Sequence, residues 1–425
     1  MKTFLNKLYL PLIYLIGLIN WTIDTNYLYI PLVVIVIGIV VFKNLKRIYL
    51  MPLMTCLPFA FKSVSINPFV IICYIIIMLL LSYDIYQQIY TEVNPIIKIM
   101  FLFLMIMILS LFYTLSSELT WKGILEYYFY LFILYYFYNV KDQNKKMYLG
   151  KSLIILSFYI FFQMIIYWIS NIGLSFQEML AMLDLGWGSY NLISLMYLIL
   201  IPLSSYYYLE KKQNYYIIFI FFNISMVFIM MTRGSYLTLL LMAIPFLIQI
   251  YNDSIDKAKI FKQFLLYLII ALLFRLLIST PTGMSELWFK RINNLQISFT
   301  NNDLLFDLGI KIFKINPIFG NGANTSSIFL SLYDTKNFPN YLIETLATLG
   351  IIGLFILILY LSSVLKVTTG SLYNRYARYS FICIMIQGLL ETGFYSFVIM
   401  VILSLILSSL DENTKGEASV NLLIE

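Results

Sequence analysis

Apolar runs of roughly twenty residues recur along this chain, broken by short polar stretches, and within each run the apolar residues are continuous and not alternating. A continuous run of about 20 apolar residues forms a helix long enough for a bilayer core of roughly 30 Å. The strands of a membrane barrel would instead alternate in polarity. The pattern predicts up to fourteen helical spans, at about 8–23, 27–42, 48–61, 66–83, 96–116, 121–139, 148–170, 190–209, 215–231, 236–251, 263–279, 340–362, 379–392 and 394–410. Pro52, Pro58 and Pro68 interrupt the third and fourth, and the last two form a hairpin about Glu391-Thr392-Gly393. The expected fold is all-α, a polytopic transmembrane helical bundle of about 12–14 spans with one large extracytoplasmic loop. It divides into an N-terminal bundle (1–279), the loop (280–339), C-terminal helices (340–410) and a polar cytoplasmic tail (411–425).

Charge gives this bundle a direction. KNLKR at 43–47, Lys141-Lys145-Lys146, Lys211-Lys212, Lys257-Lys259-Lys262 and Lys366-Arg375-Arg378 fall on alternate loops, the side of the N-terminus. That side carries nineteen of the 28 Lys and Arg, and the other nine lie opposite, most of them in or beside the long loop. The positive-inside rule then puts both termini in the cytoplasm and segment 280–339 outside. Lys2 and Lys7 precede the first apolar run with no small-residue cleavage site after it, as in a retained first helix. Composition agrees: 61% hydrophobic and 12% charged over 425 residues exceeds what a soluble core buries. The net charge of +7 is accounted for by cytoplasmic anchoring lysines and needs no nucleic acid. Cys56, Cys73 and Cys383 all lie within apolar runs and read as buried thiols, with neither disulfide nor metal spacing.

Candidate chemistry concentrates where the one long polar segment runs into an apolar span, Asn316 to Gly353, NPIFGNGANTSSIFLSLYDTKNFPNYLIETLATLGIIG. Gly320 and Gly322 permit a tight turn after Pro317. Pro339 marks a helix start, and Glu344, four residues after Asn340, shares its helical face. Glu344 reads either as a general base or as an ion-pair partner of Arg233 or Arg275. Arg233, in MMTRGSYLTLL, stands at an outer helix junction. It either snorkels to headgroups or presents a planar fork to a phosphate or diphosphate. Arg275 lies inside an apolar run, where a charge faces a bundle interior or wet cavity. Lys290 and Arg291 open the loop and either extend that positive pocket or are solvated. Asp303, Asp307 and Asp334 read as solvated residues. The absence of histidine removes imidazole as base, acid or ligand, so no metal site is expected and any chemistry falls to arginines and a carboxylate. No Gly-Lys-Ser/Thr motif is present, which excludes a nucleotide phosphate loop.

NPIFGNG followed by PNYLIETLATLGIIG resembles the O-antigen ligase and polymerase family, in which a Pro-x-x-Gly-x-Gly loop precedes a His-Asn pair, a Glu and a Gly-rich helix. Thr232-Arg233-Gly234 is similar to the family's Ser-Arg-Gly, and Gly188-Ser189-Tyr190-Asn191 resembles another of its patterns. The likeness covers about 186–362 and is most like a Wzy-type repeat-unit polymerase. It implies a glycosyltransferase at the outer face of the bacterial plasma membrane, with a polyprenyl-diphosphate-linked oligosaccharide as substrate, membrane lipid around it and no cofactor. A chain-length regulator and a flippase of the same pathway are the implied partners. Arg233, with Arg291 or Arg275 and Lys290, would hold the diphosphate. Asn191, Gly320 and Gly322 belong to the substrate-binding set, and Glu344 and Asn340 would act at the acceptor hydroxyl. Two positions depart from the family. Pro339 replaces the histidine, and the loop arginine before the Asn-Pro turn appears as Asn302 or Asp303, leaving Arg291 as a substitute. A ligase that transfers finished polymer to a lipid A core, and a transporter or flippase of the same lipid-linked sugars, are the alternatives.

Overall fold

A computed structural model describes residues 2–24, 26–43, 45–62, 68–88, 93–174, 176–213, 215–230, 232–254, 295–331, 337–391 and 393–411, with scattered positions between 257 and 273. The described residues are helical, joined by turns and two isolated bridges. Among the described residues five helices are long and apolar enough to cross a membrane: Pro95–Phe112, Lys145–Ser170, Tyr190–Lys211, Arg233–Asp253 and Tyr341–Val367. Shorter apolar helices stand beside them, consistent with a polytopic membrane bundle.

In chain order the helices are α1 (Lys2–Ile23), α2 (Asn26–Phe42), α3 (Leu50–Cys56), α4 (Pro68–Gln88), α5 (Pro95–Leu109), α6 (Ser117–Asn139), α7 (Lys145–Ser170) and α8 (Phe176–Ala181). After them come α9 (Tyr190–Lys211), α10 (Tyr215–Met230), α11 (Arg233–Asp253), α12 (Leu295–Ile315), α13 (Ser326–Phe329), α14 (Tyr341–Val367), α15 (Leu372–Leu390) and α16 (Phe397–Ser408). Most predicted spans coincide with one helix. The exception among described residues is 48–61, where Pro52 and Pro58 limit α3 to seven residues between two single 3-10 turns. That segment runs beside α1 in the same direction. The Tyr9 hydroxyl bonds the Tyr49 carbonyl, the Tyr14 hydroxyl bonds the Thr55 hydroxyl, and the Asn20 amide bonds the Ala60 carbonyl. Of the expected span 263–279 only isolated positions are described.

At the centre lie α9, buried from Ile193 to Tyr207, and α16, buried throughout. The first packs on α7, α10, α11 and α15, and the second on α6. Charges gather at one end of the bundle. Arg47 pairs with Asp84 at 2.9 Å, and the Tyr136 hydroxyl bonds the same carboxylate. Arg375 pairs with Asp253 at 2.7 Å, and Lys146 with Asp411. Lys145 is buried and donates to the carbonyls of Phe137 and Ser408, the last turns of α6 and α16, where a cation complements the helix C-terminus. The cationic loops identified in the sequence thus meet at one end. The start of α14, the start of α11 and the end of α15 lie at the other.

The described part of the expected loop 280–339 is not an open loop. Leu295–Ile315 is a helix of 21 residues, and its apolar residues Leu305 and Ile312 form a second, smaller core with Leu330, Phe338 and Ile343.

Candidate active site

Helix α14 is broken one third of the way along. Gly350 has φ +65° and ψ −162°, a conformation open essentially to glycine alone. In an unbroken helix the amides of Ile351 and Ile352 would donate to the carbonyls of Ala347 and Thr348. Here the NPIFGNG loop takes their place. Ile351 N–H donates to Pro317 (2.9 Å) and Ile352 N–H to Ile318 (3.3 Å). Asn321 N–H donates to Ala347 (3.2 Å) and Gly322 N–H to Thr348 (2.9 Å). Four polar groups that an apolar environment would penalise are thereby satisfied within the protein. The two halves of the sequence motif form one unit, a loop spliced into a helix.

The loop glycines are required by this splice. Gly320 has φ +74°, and a Cβ there would lie 2.4 Å from the Thr348 backbone. Gly322 has φ +109°, and its Cβ would lie 2.1 Å from the Thr114 hydroxyl. Asn321 is buried and clasps the turn, its amide donating to Ala347 (2.9 Å) and Ile312 (3.3 Å). The far side of the loop is held by the α5–α6 connection. Tyr113 donates to the Phe319 carbonyl, Thr120 to Ala323, and the Asn324 amide to Leu119.

Just before the break, Glu344 is buried, 6% exposed. Its Oε2 accepts the Phe338 amide at 2.9 Å, and the Ser326 hydroxyl also bonds the carboxylate. It holds the segment leading into α14 against the start of that helix. It pairs with neither Arg233 among the described residues nor any other described cation. A cavity of about 70 Å³ opens beside it, and Glu126 of α6 stands on the same wall system. Glu126 was not singled out from sequence. A carboxylate inside the run LTWKGILEYYFYLFIL carries the signal that would have found it, since an ionisable group in an apolar span faces the interior.

Asn340 is differently placed from the sequence expectation. It is the N-cap of α14 and not a residue of its face: Oδ1 accepts from Leu342 (2.8 Å) and Ile343 (3.3 Å), and the amide donates to Leu389 at 3.0 Å. Its side chain is fully committed to capping and to fixing the end of α15. An aspartate or asparagine at this position satisfies free helix amides for this reason.

Arg233 opens α11 and is half-buried. Among the described residues its guanidinium has no hydrogen-bond or ion-pair partner. Around it three elements meet. The next amide, Gly234 N–H, donates to Glu391 Oε1 at 3.0 Å, so a carboxylate from α15 caps α11. Gln387 bridges the cluster, accepting from Ser235 (3.1 Å) and donating to Glu391 (3.2 Å) and the Asn191 carbonyl (3.2 Å). The Asn191 side-chain oxygen is buried and has no hydrogen-bond partner among the described residues. The Thr-Arg-Gly and Gly-Ser-Tyr-Asn motifs, 41 residues apart, thus converge, and Gln387 and Glu391 are the residues that join them.

This cluster connects with the Glu344 region through Phe394 and Tyr395. The Tyr341 and Phe394 rings stack at 4.5 Å, and the hydroxyls of Tyr395 and Thr345 bond at 2.5 Å. Arg275, Lys290 and Arg291, expected to add positive charge, lie outside the described residues. Among the described residues no three acidic or cysteine side chains are grouped to hold a metal. The arrangement offers a guanidinium fork without a partner among the described residues, a fixed carboxylate and a second carboxylate facing a small cavity. Compared with protein-family models and with curated proteins, the chain matches none.

Proposed function

We propose that this chain is a membrane glycosyltransferase that joins polyprenyl-diphosphate-linked oligosaccharide repeat units into O-antigen, capsular or exopolysaccharide at the outer face of the bacterial plasma membrane. The observation that carries the reading is the splice of NPIFGNG into the break of α14. It brings the polar motif to Glu344, at the end of the bundle where Arg233, without a partner among the described residues, also stands. In the reaction a hydroxyl oxygen of one repeat unit bonds to the anomeric carbon of another. The bond from that carbon to the diphosphate oxygen breaks, and its electron pair leaves with the lipid diphosphate. The hydroxyl proton passes to a carboxylate, for which Glu344 is the candidate.

Arg233 stabilises the charge that develops on the departing diphosphate, a task suited to a permanently charged bidentate donor. No metal takes part in this scheme. Arg275, Lys290 and Arg291 remain candidates for the same anion, and Asn340 acts by shaping the start of α14. A strain lacking the protein, complemented with wild type or Glu344→Gln, tests the reading. The wild type should restore long glycan chains and the variant should leave single repeat units, at equal protein abundance. Long chains in the uncomplemented strain would end the proposal.

A further inference from the structure

The cavity beside Glu344 is walled by α5, α6, the spliced loop, α14 and the turn before α16, and two carboxylates line it. Three of its polar groups serve the fold. Glu344 holds Phe338 and Ser326, Asn324 holds Leu119, and Asn337 accepts from Ser326 at 3.5 Å. Glu126 does not. Its carboxylate has no hydrogen bond or ion pair among the described residues, and Lys122, one turn earlier, acts on it only through space. It stands nine residues beyond Ser117, roughly 13 Å along α6 at 1.5 Å per residue. A half-buried carboxylate without donors is costly to keep, and a ligand that brings hydrogen-bond donors relieves that cost.

The rest of the lining is mainly apolar and includes the rings of Phe103, Tyr127, Tyr130 and Tyr395. At a share of about 30 Å³ per water the cavity of 70 Å³ takes roughly two waters, room for the hydroxyl-bearing edge of one sugar ring and not for the whole ring. Carboxylate and amide acceptors among aromatic side chains match a ligand that carries hydroxyl donors beside C–H groups. We propose that this cavity is a monosaccharide subsite in which Glu126 accepts a hydrogen bond from a ring hydroxyl of the bound glycan. The identity of that glycan as part of a lipid-linked repeat unit rests on the function proposed above. The hydroxyl-to-Glu126 contact rests on the cavity.

The test uses the full chain in lipid nanodiscs, with saturation-transfer difference NMR on methyl glycosides of glucose, galactose, N-acetylglucosamine and rhamnose, and glycerol as a small polyol control. At least one glycoside should receive saturation, and glycerol should not. Glu126→Gln keeps the shape and loses the charge-assisted acceptor, so that signal should titrate at least about tenfold more weakly. Glu126→Asp should recover part of it, and thermal unfolding should confirm that both variants are folded. No glycoside signal in wild type, or equal binding by Glu126→Gln, overturns the subsite. Glycan chain length in cells separates the two readings. Glycoside binding through Glu126 with chain length independent of the protein leaves the subsite standing and removes the polymerase. Chain length that depends on the protein, with Glu126→Gln like wild type in both assays, does the reverse.

Discussion

Gly350→Ala strikes the feature on which the site depends. At φ +65° and ψ −162° an added Cβ would lie 2.4 Å from the Ile318 oxygen and 2.7 Å from the Gly320 nitrogen. Both are backbone atoms, so no side-chain rotation relieves the overlap. The variant has two ways to relax. It can keep the break, at a strain of about 1–3 kcal/mol for a non-glycine residue in that region. Alternatively it can heal the helix, regaining two hydrogen bonds inside α14 and losing the four to the loop. The net loss of two bonds is about 2 kcal/mol, of which the better helix propensity of alanine returns up to about 1 kcal/mol. Either route costs about 1–3 kcal/mol, which is roughly a 5- to 150-fold shift toward a detached loop. Hydrogen–deuterium exchange reads this directly at the Asn321 and Gly322 amides, which donate into the broken helix. Gly38→Ala is the control, since a Cβ at Gly38 of α2 meets nothing within 4 Å. Unchanged exchange at Asn321 and Gly322 in Gly350→Ala, or the same acceleration in Gly38→Ala, would refute the splice as the element that holds the loop.

Three further outcomes are expected. Arg233→Lys should lower polymer formation at least about tenfold at equal protein abundance, because an ammonium cannot reproduce a two-pronged contact worth roughly 1.5–3 kcal/mol; a nearly neutral effect would mean that Arg233 only anchors to headgroups. Glu391→Gln keeps an acceptor for Gly234 N–H but removes the negative charge at the start of α11, and should destabilise the protein by about 0.3–1 kcal/mol, read as a lower midpoint of thermal unfolding. Reporter fusions at Lys145, Lys212 and Ala258 should report cytoplasm and one at Thr325 the outside, and a cytoplasmic signal at Thr325 would separate the site from its proposed substrate.

Much of the helical architecture was legible because continuous apolar runs have one structural solution in a membrane, and prolines marked where α3 would be cut short. The motif at 316–353 was legible as a place but not as a shape. Nothing in the spacing of Gly320, Gly322 and Gly350 says that two of these lie in a loop stitched to a helix that the third breaks. That depends on backbone pairing between residues about thirty positions apart. Asn340 misled because helical spacing places it beside Glu344, whereas a residue after proline with a side-chain acceptor is equally suited to cap. Gln387 and Glu391 carry no signal of their own in the sequence, and Glu126 is legible there as an interior-facing charge but not as the wall of a cavity. Each lies in or at the edge of an apolar run, and only tertiary packing reveals which polar residue there faces a partner and which a cavity. Arg233 was legible because a cation is conspicuous at a short junction on the side that carries only nine of the 28 Lys and Arg.

The central claim is that this chain by itself joins lipid-linked glycans. The most direct measurement reconstitutes the purified protein in liposomes with polyprenyl-diphosphate-linked repeat units, in the presence of chelator, and follows glycan length and lipid diphosphate together. The account predicts a ladder of longer chains, one lipid diphosphate released for each linkage formed, and loss of both in Arg233→Lys. Repeat units that stay single while crossing the vesicle bilayer would contradict it and identify a transporter.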